Sequence, residues 1–313
     1  MRTLIAFACA VGLATSGPPA AIGQNAAPAA QAQKEGEPWQ PVRAALGHEG
    51  KVDQGVLRVN FVGSDLGKSV TIDGSTVKPG VVYQTWFGFM PMPGGQTMMM
   101  GDLCLKQTEV AAAQRAVFAA GFEISGLHNH VLNESSPMVF MHISGDGDLA
   151  KMSEAIKTIL ATTATPTGKE EEEEEVDRPD WSAVCKVFGA QGEAEGNAIE
   201  FAFPRADPLK MNGMPVPSGE GFETANEASF ISAGNGQAIV YIEFLLKPSE
   251  VTPTLQSLVE AGLTVQAVHN HMISEEPRLI FVHAWGRGEA VKMAEGVKSA
   301  LSKSNVAKQV PGN

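Results

Sequence analysis

The stretch HNHVLNESSPMVFMH, residues 128–142, recurs with identical spacing as HNHMISEEPRLIFVH, residues 269–283. Both copies follow the pattern His-Asn-His-x3-Glu-x7-His, and together they hold six of the chain's seven histidines. Nitrogen and oxygen donors grouped in this way suit a borderline transition metal or an acid/base site. We therefore expect function in these clusters. Their candidate residues are His128, His130, Glu134, His142, His269, His271, Glu275 and His283.

The similarity between the two halves extends well beyond the motif. Residues 109–160 align without a gap with residues 250–301, which indicates a duplicated domain rather than two chance motifs. The predicted divisions are a signal peptide at 1–23, a disordered segment at 24–37, a first repeat at 38–165, an acidic linker at 166–177, a second repeat at 178–305 and a tail at 306–313.

Each repeat shows a legible series of hydrophobic periodicities. In the second repeat the series is a strand, a helix stopped by Gly262, two further strands and a closing amphipathic helix. The corresponding ranges are 238–246, 249–260, 263–271, 279–284 and 288–301. A β-α-β-β-α order matches a split βαβ unit. The sequence thus predicts an α+β fold with two tandem ferredoxin-like (split βαβ) repeats and antiparallel sheets.

The motif spacing predicts that three histidines of a repeat share one face. Residues two apart in a strand point to the same side, so His128 and His130 do so. A hairpin with a loop from Asn133 to Pro137 would place His142 directly opposite His128. The second copy predicts the same arrangement, with one pocket expected in each repeat. A shift of one residue in the register, or a bulge, would move the third histidine to the other face.

Three imidazoles and a carboxylate around one point are a plausible ligand set for zinc, manganese, iron, nickel or copper. A metal with an open position activates water or polarises a carbonyl. Glu134 and Glu275 are expected either as ligands or as general bases. The alternative is structural, since histidine, asparagine and glutamate in a hairpin also form polar networks that hold a loop.

Composition indicates a folded, exported protein. The chain has 313 residues with 43% hydrophobic content, enough for about two domains. Its N-terminus follows the secretory pattern, and no later apolar run is long enough to span a bilayer, so we expect a secreted or periplasmic protein without a transmembrane segment. The net charge of -12 disfavours nucleic acid as a partner. The expected partner is an unspecified small molecule or envelope component, and the oligomeric state stays open.

Several further residues admit two interpretations. Cys104 and Cys185 are either two buried thiols or one disulfide. Glu109 and Glu250 match across the repeats near a helix start, where a carboxylate favours the positive end of the helix dipole. The pair Arg205 and Asp207 either lies near the site or forms an ordinary turn or ion pair. The methionines at 90, 92 and 98–100 are either soft copper ligands or apolar packing.

The motif and its surroundings resemble one known family. The string Gly-x6-His-Asn-His, a following Glu and Pro, and Phe-x-His before a Gly-x-Gly turn looks like the LppY/LpqO family of bacterial exported proteins, described as a domain of unknown function. The resemblance covers most of the chain as two tandem copies and is strongest at residues 262–288. It implies an extracytoplasmic location and implies no established activity.

Three classes of function follow from these observations. The leading hypothesis is a divalent transition metal held by one or both clusters. The second is a non-enzymatic binding module of the cell envelope in which the His/Glu clusters are structural. The third is a metal carrier, which binds a metal without turnover. The sequence contains no phosphate loop, dinucleotide fingerprint or complete nucleophile triad signature.

Overall fold

The computed structural model describes residues 38–67, 69–167 and 179–307. The predicted signal peptide, the segment at 24–37, nearly all of the acidic linker and most of the tail lie outside the described residues. No helix within the described residues has the length and apolar character needed to cross a membrane.

The first repeat contains three helices and eight strands. In chain order these are α1 (Gln40–Leu46), β1 (Lys51–Asp53), β2 (Val56–Val62), β3 (Val70–Ile72), β4 (Ser75–Val77), β5 (Gln84–Pro91), β6 (Thr97–Lys106), α2 (Val110–Ala119), β7 (Glu123–His128), β8 (Met138–Gly147) and α3 (Leu149–Leu160). Short 3-10 helices lie at Pro79–Val81 and Pro93–Gly95.

The second repeat follows the same plan with one additional short strand. Its elements are α4 (Ser182–Phe188), β9 (Glu193–Glu195), β10 (Ala198–Pro204), β11 (Leu209–Met211), β12 (Met214–Val216), β13 (Ala225–Ser232), β14 (Gln237–Leu246), α5 (Pro248–Glu260), β15 (Thr264–His269), β16 (Glu275–Glu276), β17 (Ile280–Glu289) and α6 (Ala290–Leu301). A 3-10 helix at Glu220–Phe222 precedes β13.

Each repeat is built on a six-stranded antiparallel sheet, and the prediction of ferredoxin-like repeats is wrong. The strand orders are β1-β2-β5-β6-β8-β7 and β9-β10-β13-β14-β17-β15. A crossover and hairpin of the predicted kind describe only the last three strands, in which β8 lies between β6 and β7 and is antiparallel to both. The sequence interpretation missed how far the upstream strands extend the sheet. They pair continuously with β6 through β5 and β2.

Each repeat has its own apolar core between one face of its sheet and its helices. Strand side chains alternate between faces, so one face of each sheet packs against helices that carry an apolar stripe. In the first repeat this core includes Phe87, Leu103 and Ile156, and in the second it includes Phe230, Phe244 and Val297. The opposite faces meet the other repeat.

Two further apolar clusters join the repeats. One combines Tyr83 and Phe140 of the first repeat with Tyr241 and Trp285 of the second. The other combines Trp86 of the first repeat with residues of the second that include Leu245 and Phe281. The described residues of both repeats therefore belong to one compact unit.

The secondary candidates have structural surroundings. Both Cys104 and Cys185 are free thiols, the first fully buried and the second partly buried. The Arg205 side chain is buried and donates to Glu250 over 2.8 Å and to Asp207 over 2.5 Å. Glu250 also accepts from the Lys247 backbone N–H, as Glu109 does from Lys106, so both carboxylates satisfy backbone donors at a helix start. The methionines at 98–100 are buried in apolar clusters.

Candidate metal centre

The hairpin register differs from the predicted one by two residues, and the histidines still share a face. His128 pairs with Phe140, and His142 pairs with Gly126. In the second repeat His269 pairs with Phe281, and His283 pairs with Ala267. A shift of two residues keeps every side chain on its face because the side-chain period of a strand is two. Each edge strand also has a bulge, but it lies before the residue paired with His142 or His283.

The six histidines of the two motifs form one cluster across the interface between the repeats. The rings of His128 and His269 stack with their centroids 3.5 Å apart. On one side of this pair the His130 ring lies 4.3 Å from that of His283, and on the other the His142 ring lies 3.8 Å from that of His271. The sequence predicts a separate pocket in each repeat, whereas the sheet-to-sheet packing joins the two.

The asparagine of each motif connects its repeat to the other one. Asn129 Nδ2 donates to the backbone oxygen of Gln266 over 3.1 Å, and Asn270 Nδ2 donates to the backbone oxygen of Ser125. Ser125 and Gln266 are the bulge residues of β7 and β15, which pair with no residue of β8 or β17. A bulge leaves a backbone group out of the ladder, so its carbonyl is available to the opposite repeat.

Backbone carbonyls determine which nitrogen of the central rings carries a hydrogen. His128 Nδ1 lies 3.0 Å from Asn129 O, and His269 Nδ1 lies 3.2 Å from Asn270 O. A carbonyl oxygen only accepts, so Nδ1 donates and Nε2 of each neutral ring presents a lone pair. These Nε2 atoms face the Nε2 atoms of His142 at 2.7 Å and His283 at 2.9 Å.

Three groups of donor atoms lie close enough together to hold a metal ion. Within each group the donor atoms lie within 4.8 Å of one another. The two histidine groups combine side chains of both repeats, and the third group belongs to the second repeat alone. The groups are His128/His130/His283, His128/His142/His269 and Glu223/Glu243/His271.

The two motif glutamates stand outside these groups, as far as the described residues are concerned. Glu134 accepts the Tyr83 hydroxyl over 2.5 Å and the Met138 backbone N–H over 2.9 Å. Glu275 accepts from the Leu279 backbone N–H over 3.0 Å and from Arg278 over 2.9 Å. Each carboxylate therefore closes the loop of its own hairpin.

Two acidic residues that the sequence interpretation missed lie beside the histidines. Asp102 on β6 lies 3.5 Å from His130 Nε2 and 3.6 Å from His142 Nδ1, and Glu243 on β14 lies 3.7 Å from His283 Nδ1. Both are buried. They occupy the same repeat position and stand as single acids in otherwise apolar strands, and that pattern could have identified them.

Burial keeps the histidines neutral at neutral pH. Loss of solvation lowers the pKa of His128 to about 4 and that of His269 to about 3. It lowers the pKa values of the other four well below the usual range; these are His130, His142, His271 and His283. Burial raises the pKa values of Asp102 and Glu243, and the nearby Glu223 raises both further.

Several buried polar atoms of the cluster lack a hydrogen-bond partner among the described residues. They are Asp102 Oδ1, His142 Nδ1 and both ring nitrogens of His271. An unsatisfied buried polar atom costs free energy, so its presence at one point in the fold suggests that a ligand completes it.

Comparisons with known proteins identify a repeated domain. Residues 40–162 and residues 182–303 each match the family described as Domain of Unknown Function (DUF1259), and together the matches span more than half of the chain. No curated protein matches the chain in sequence.

Three solved structures show weak similarity over most of the chain. EtuB from Clostridium kluyveri is 9% identical, with 80% of this chain and 90% of that chain covered and a TM-score of 0.19. The trimeric bacterial microcompartment shell protein PduB is 11% identical, with 83% and 91% covered and a TM-score of 0.21. The double ringed trimeric shell protein MSM0271 from the RMM microcompartment is 16% identical, with 79% and 94% covered and a TM-score of 0.17. At these TM-scores the similarities support no argument about fold or function.

Proposed function

Because the chain belongs to the DUF1259 family, in two tandem copies of a domain of unknown function, we propose its function from the site alone: it binds a divalent transition metal at the histidine cluster between the repeats. The proposed ligands of the ion are His128, His142 and His269. On the other side of His128, His130 and His283 form a second group of donors with it. The donor set suits zinc, manganese, iron, nickel or copper.

The contact between His128 Nε2 and His142 Nε2 carries this proposal. The Asn129 carbonyl assigns a lone pair to His128 Nε2, and the Asp102 carboxylate beside His142 Nδ1 favours a hydrogen on that atom. Two lone pairs then face each other over 2.7 Å, and a cation bound by both relieves their repulsion. A carboxylate behind a ligating histidine orients the ring and raises its basicity.

The acidic residue behind His142 acts as a positioning group. Asp102 lies 3.6 Å from His142 Nδ1 and orients that ring, in the carboxylate–histidine–metal arrangement common in metalloproteins. Glu134 and Glu275 are assigned to the hairpin loops rather than to the metal. One oxygen of each carboxylate accepts a backbone N–H of the same hairpin, and neither residue belongs to a donor group.

A structural network is the second candidate, and one chain of contacts favours it. Val82 O fixes a hydrogen on His130 Nδ1, so Tyr241 Oη accepts there and donates its own hydrogen to His283 Nδ1 over 2.8 Å. His283 Nε2 then donates to His269 Nε2, and His269 Nδ1 donates to Asn270. Hydrogen bonds alone therefore satisfy the ring nitrogens of this half of the cluster. This is the arrangement expected if the protein is a non-enzymatic envelope binding module with structural histidines.

Metal analysis of the purified protein discriminates between the two functions. We expect about one bound transition-metal ion per chain at the histidine cluster and its loss in His128→Asn, because His128 belongs to both histidine groups. The matched control is His48→Asn, which changes a histidine outside the cluster. The His48 ring is tilted against Phe61, with ring centroids 4.8 Å apart. Equal metal content in both variants, or a metal-free wild type after zinc loading, would support the structural network instead.

We also propose that the protein is exported and belongs to the LppY/LpqO family. The secretory pattern of residues 1–23 and the motif string at residues 262–288 support this. Mass measurement of the protein recovered from the extracytoplasmic fraction tests it, with a chain beginning near Gln24 expected. Recovery of the uncleaved chain from the cytoplasm alone would contradict export.

A further inference from the structure

An acidic cavity lies between the repeats, next to the histidine cluster. Its volume is about 420 Å³, and its lining reaches His130, Tyr241 and Glu243 at the inner end. Eight acidic and only two basic side chains line it. The excess of carboxylates in a confined space favours a cationic ligand.

The two basic side chains of the cavity are already engaged. Arg58 donates to Glu223 Oε1 over 2.7 Å and to the Glu220 backbone oxygen over 2.6 Å. Lys51 contacts Glu193 at 3.0 Å and Glu220 at 3.5 Å. Arg58 binds one oxygen of Glu223, and the other, Oε2, lies 4.0 Å from His271 Nδ1.

His271 provides an independent indication of a ligand. Its side chain is fully buried, and neither ring nitrogen has a hydrogen-bond partner among the described residues. Trp86 stacks on the ring with centroids 5.8 Å apart, which holds its plane in position. A buried imidazole without partners, directed at two carboxylates, is an incomplete ligand set.

We propose a second cation site, distinct from the histidine centre, at which Glu223, Glu243 and His271 bind a divalent metal ion that reaches them through the acidic cavity. The donor atoms of these three residues lie within 4.8 Å of one another. Glu227, opposite Glu243 in the sheet, has a buried Oε1 without a partner and can complete the coordination. Carboxylate-rich sites suit manganese, whereas the histidine centre is richer in nitrogen.

Titration of the full-length protein with MnCl2, followed by the electron paramagnetic resonance signal of free Mn²⁺, tests the site. At this site we expect the wild type to bind one equivalent, which His128→Asn retains. The Kd of that equivalent should rise about tenfold or more in Glu243→Gln, which is at least the loss caused by removing an outer-shell partner. The control is Glu200→Gln, which removes another carboxylate of the same cavity, bonded to Ser229 over 3.2 Å and outside the donor group. Glu200→Gln should bind Mn²⁺ like the wild type.

Two outcomes would overturn the proposal. One is Mn²⁺ binding with the wild-type Kd by both Glu243→Gln and Glu223→Gln. The second variant serves if the first does not fold, because its amide oxygen still accepts from Arg58. The other is equal weakening in Glu200→Gln, which would indicate diffuse attraction by the cavity. Mn²⁺ binding retained in His128→Asn separates this site from the histidine centre, so the failure of either leaves the other testable.

Discussion

At the residue scale, the histidines depend on backbone carbonyls for their tautomers and on burial for their charge state. The Asn129 and Asn270 carbonyls leave Nε2 of His128 and His269 as acceptors. Because burial favours the neutral ring, protons compete weakly with a metal for these nitrogens. The motif residues were visible in the sequence, and the tautomers were not, because they depend on where each carbonyl points.

The low pKa of His269 predicts a pH-dependent contribution to stability. Folded His269 stays neutral down to about pH 3, whereas the unfolded chain takes up a proton below its ordinary pKa of 6.5. As the pH falls from 6.5 towards 3, the metal-free wild type should lose free energy of unfolding relative to His269→Gln, by up to about 1.4 kcal/mol per pH unit.

Urea denaturation of both proteins with a chelator present, at pH 7, 6 and 5, measures this difference. The buried carboxylates titrate in the opposite sense, but they are common to both proteins and largely cancel. A difference that does not change with pH would show that His269 protonates in the folded protein as it does in the unfolded chain.

At the element scale, glycines decide where strands approach their neighbours. The last strand of the second repeat was predicted to end at Ala284 and instead runs to Glu289. A Cβ on Gly288 would lie 2.8 Å from the Met293 sulfur, so a larger residue there would force the Met293 side chain of the closing helix to shift. A Gly-x-Gly sequence by itself is typical of a turn. Its packing role here depends on the helix that follows, which the local pattern does not show.

Substitution of Gly126 should disturb the packing at the junction of the repeats. A Cβ there would lie 2.7 Å from His142 Cδ2 and 2.8 Å from the Asn270 backbone oxygen. Gly126→Ala should therefore lower the free energy of unfolding by about 1–3 kcal/mol, the usual cost of overpacking, and weaken metal binding. Urea denaturation compares it with Gly80→Ala, where a Cβ meets nothing within 4 Å. Equal stability of the two variants would mean that the interface adjusts freely.

At the scale of the whole molecule, the site exists because two sheets pack with their histidine faces together. Two apolar clusters and the partly buried Arg58–Glu223 ion pair cross the interface. Each repeat buries apolar side chains against the other, and separating the repeats would expose Trp86 and Tyr241 to water.

The shared interface predicts a single unfolding transition. The described residues of both repeats form one compact unit, so loss of either repeat removes apolar contacts of the other. Differential scanning calorimetry of the full chain should give one peak, shifted to higher temperature by a metal that binds the folded state. Two resolved peaks, only one of which responds to metal, would contradict an interface site.

The duplication, the motif residues and the shared face of each histidine set follow from the sequence alone, because strand periodicity and repeat spacing are local properties. The number of strands in each sheet, the union of both clusters and the roles of Asp102, Glu243 and Arg58 emerge only in the folded chain. These features arise from contacts between distant segments, and the burial of apolar surface between two sheets selects those contacts.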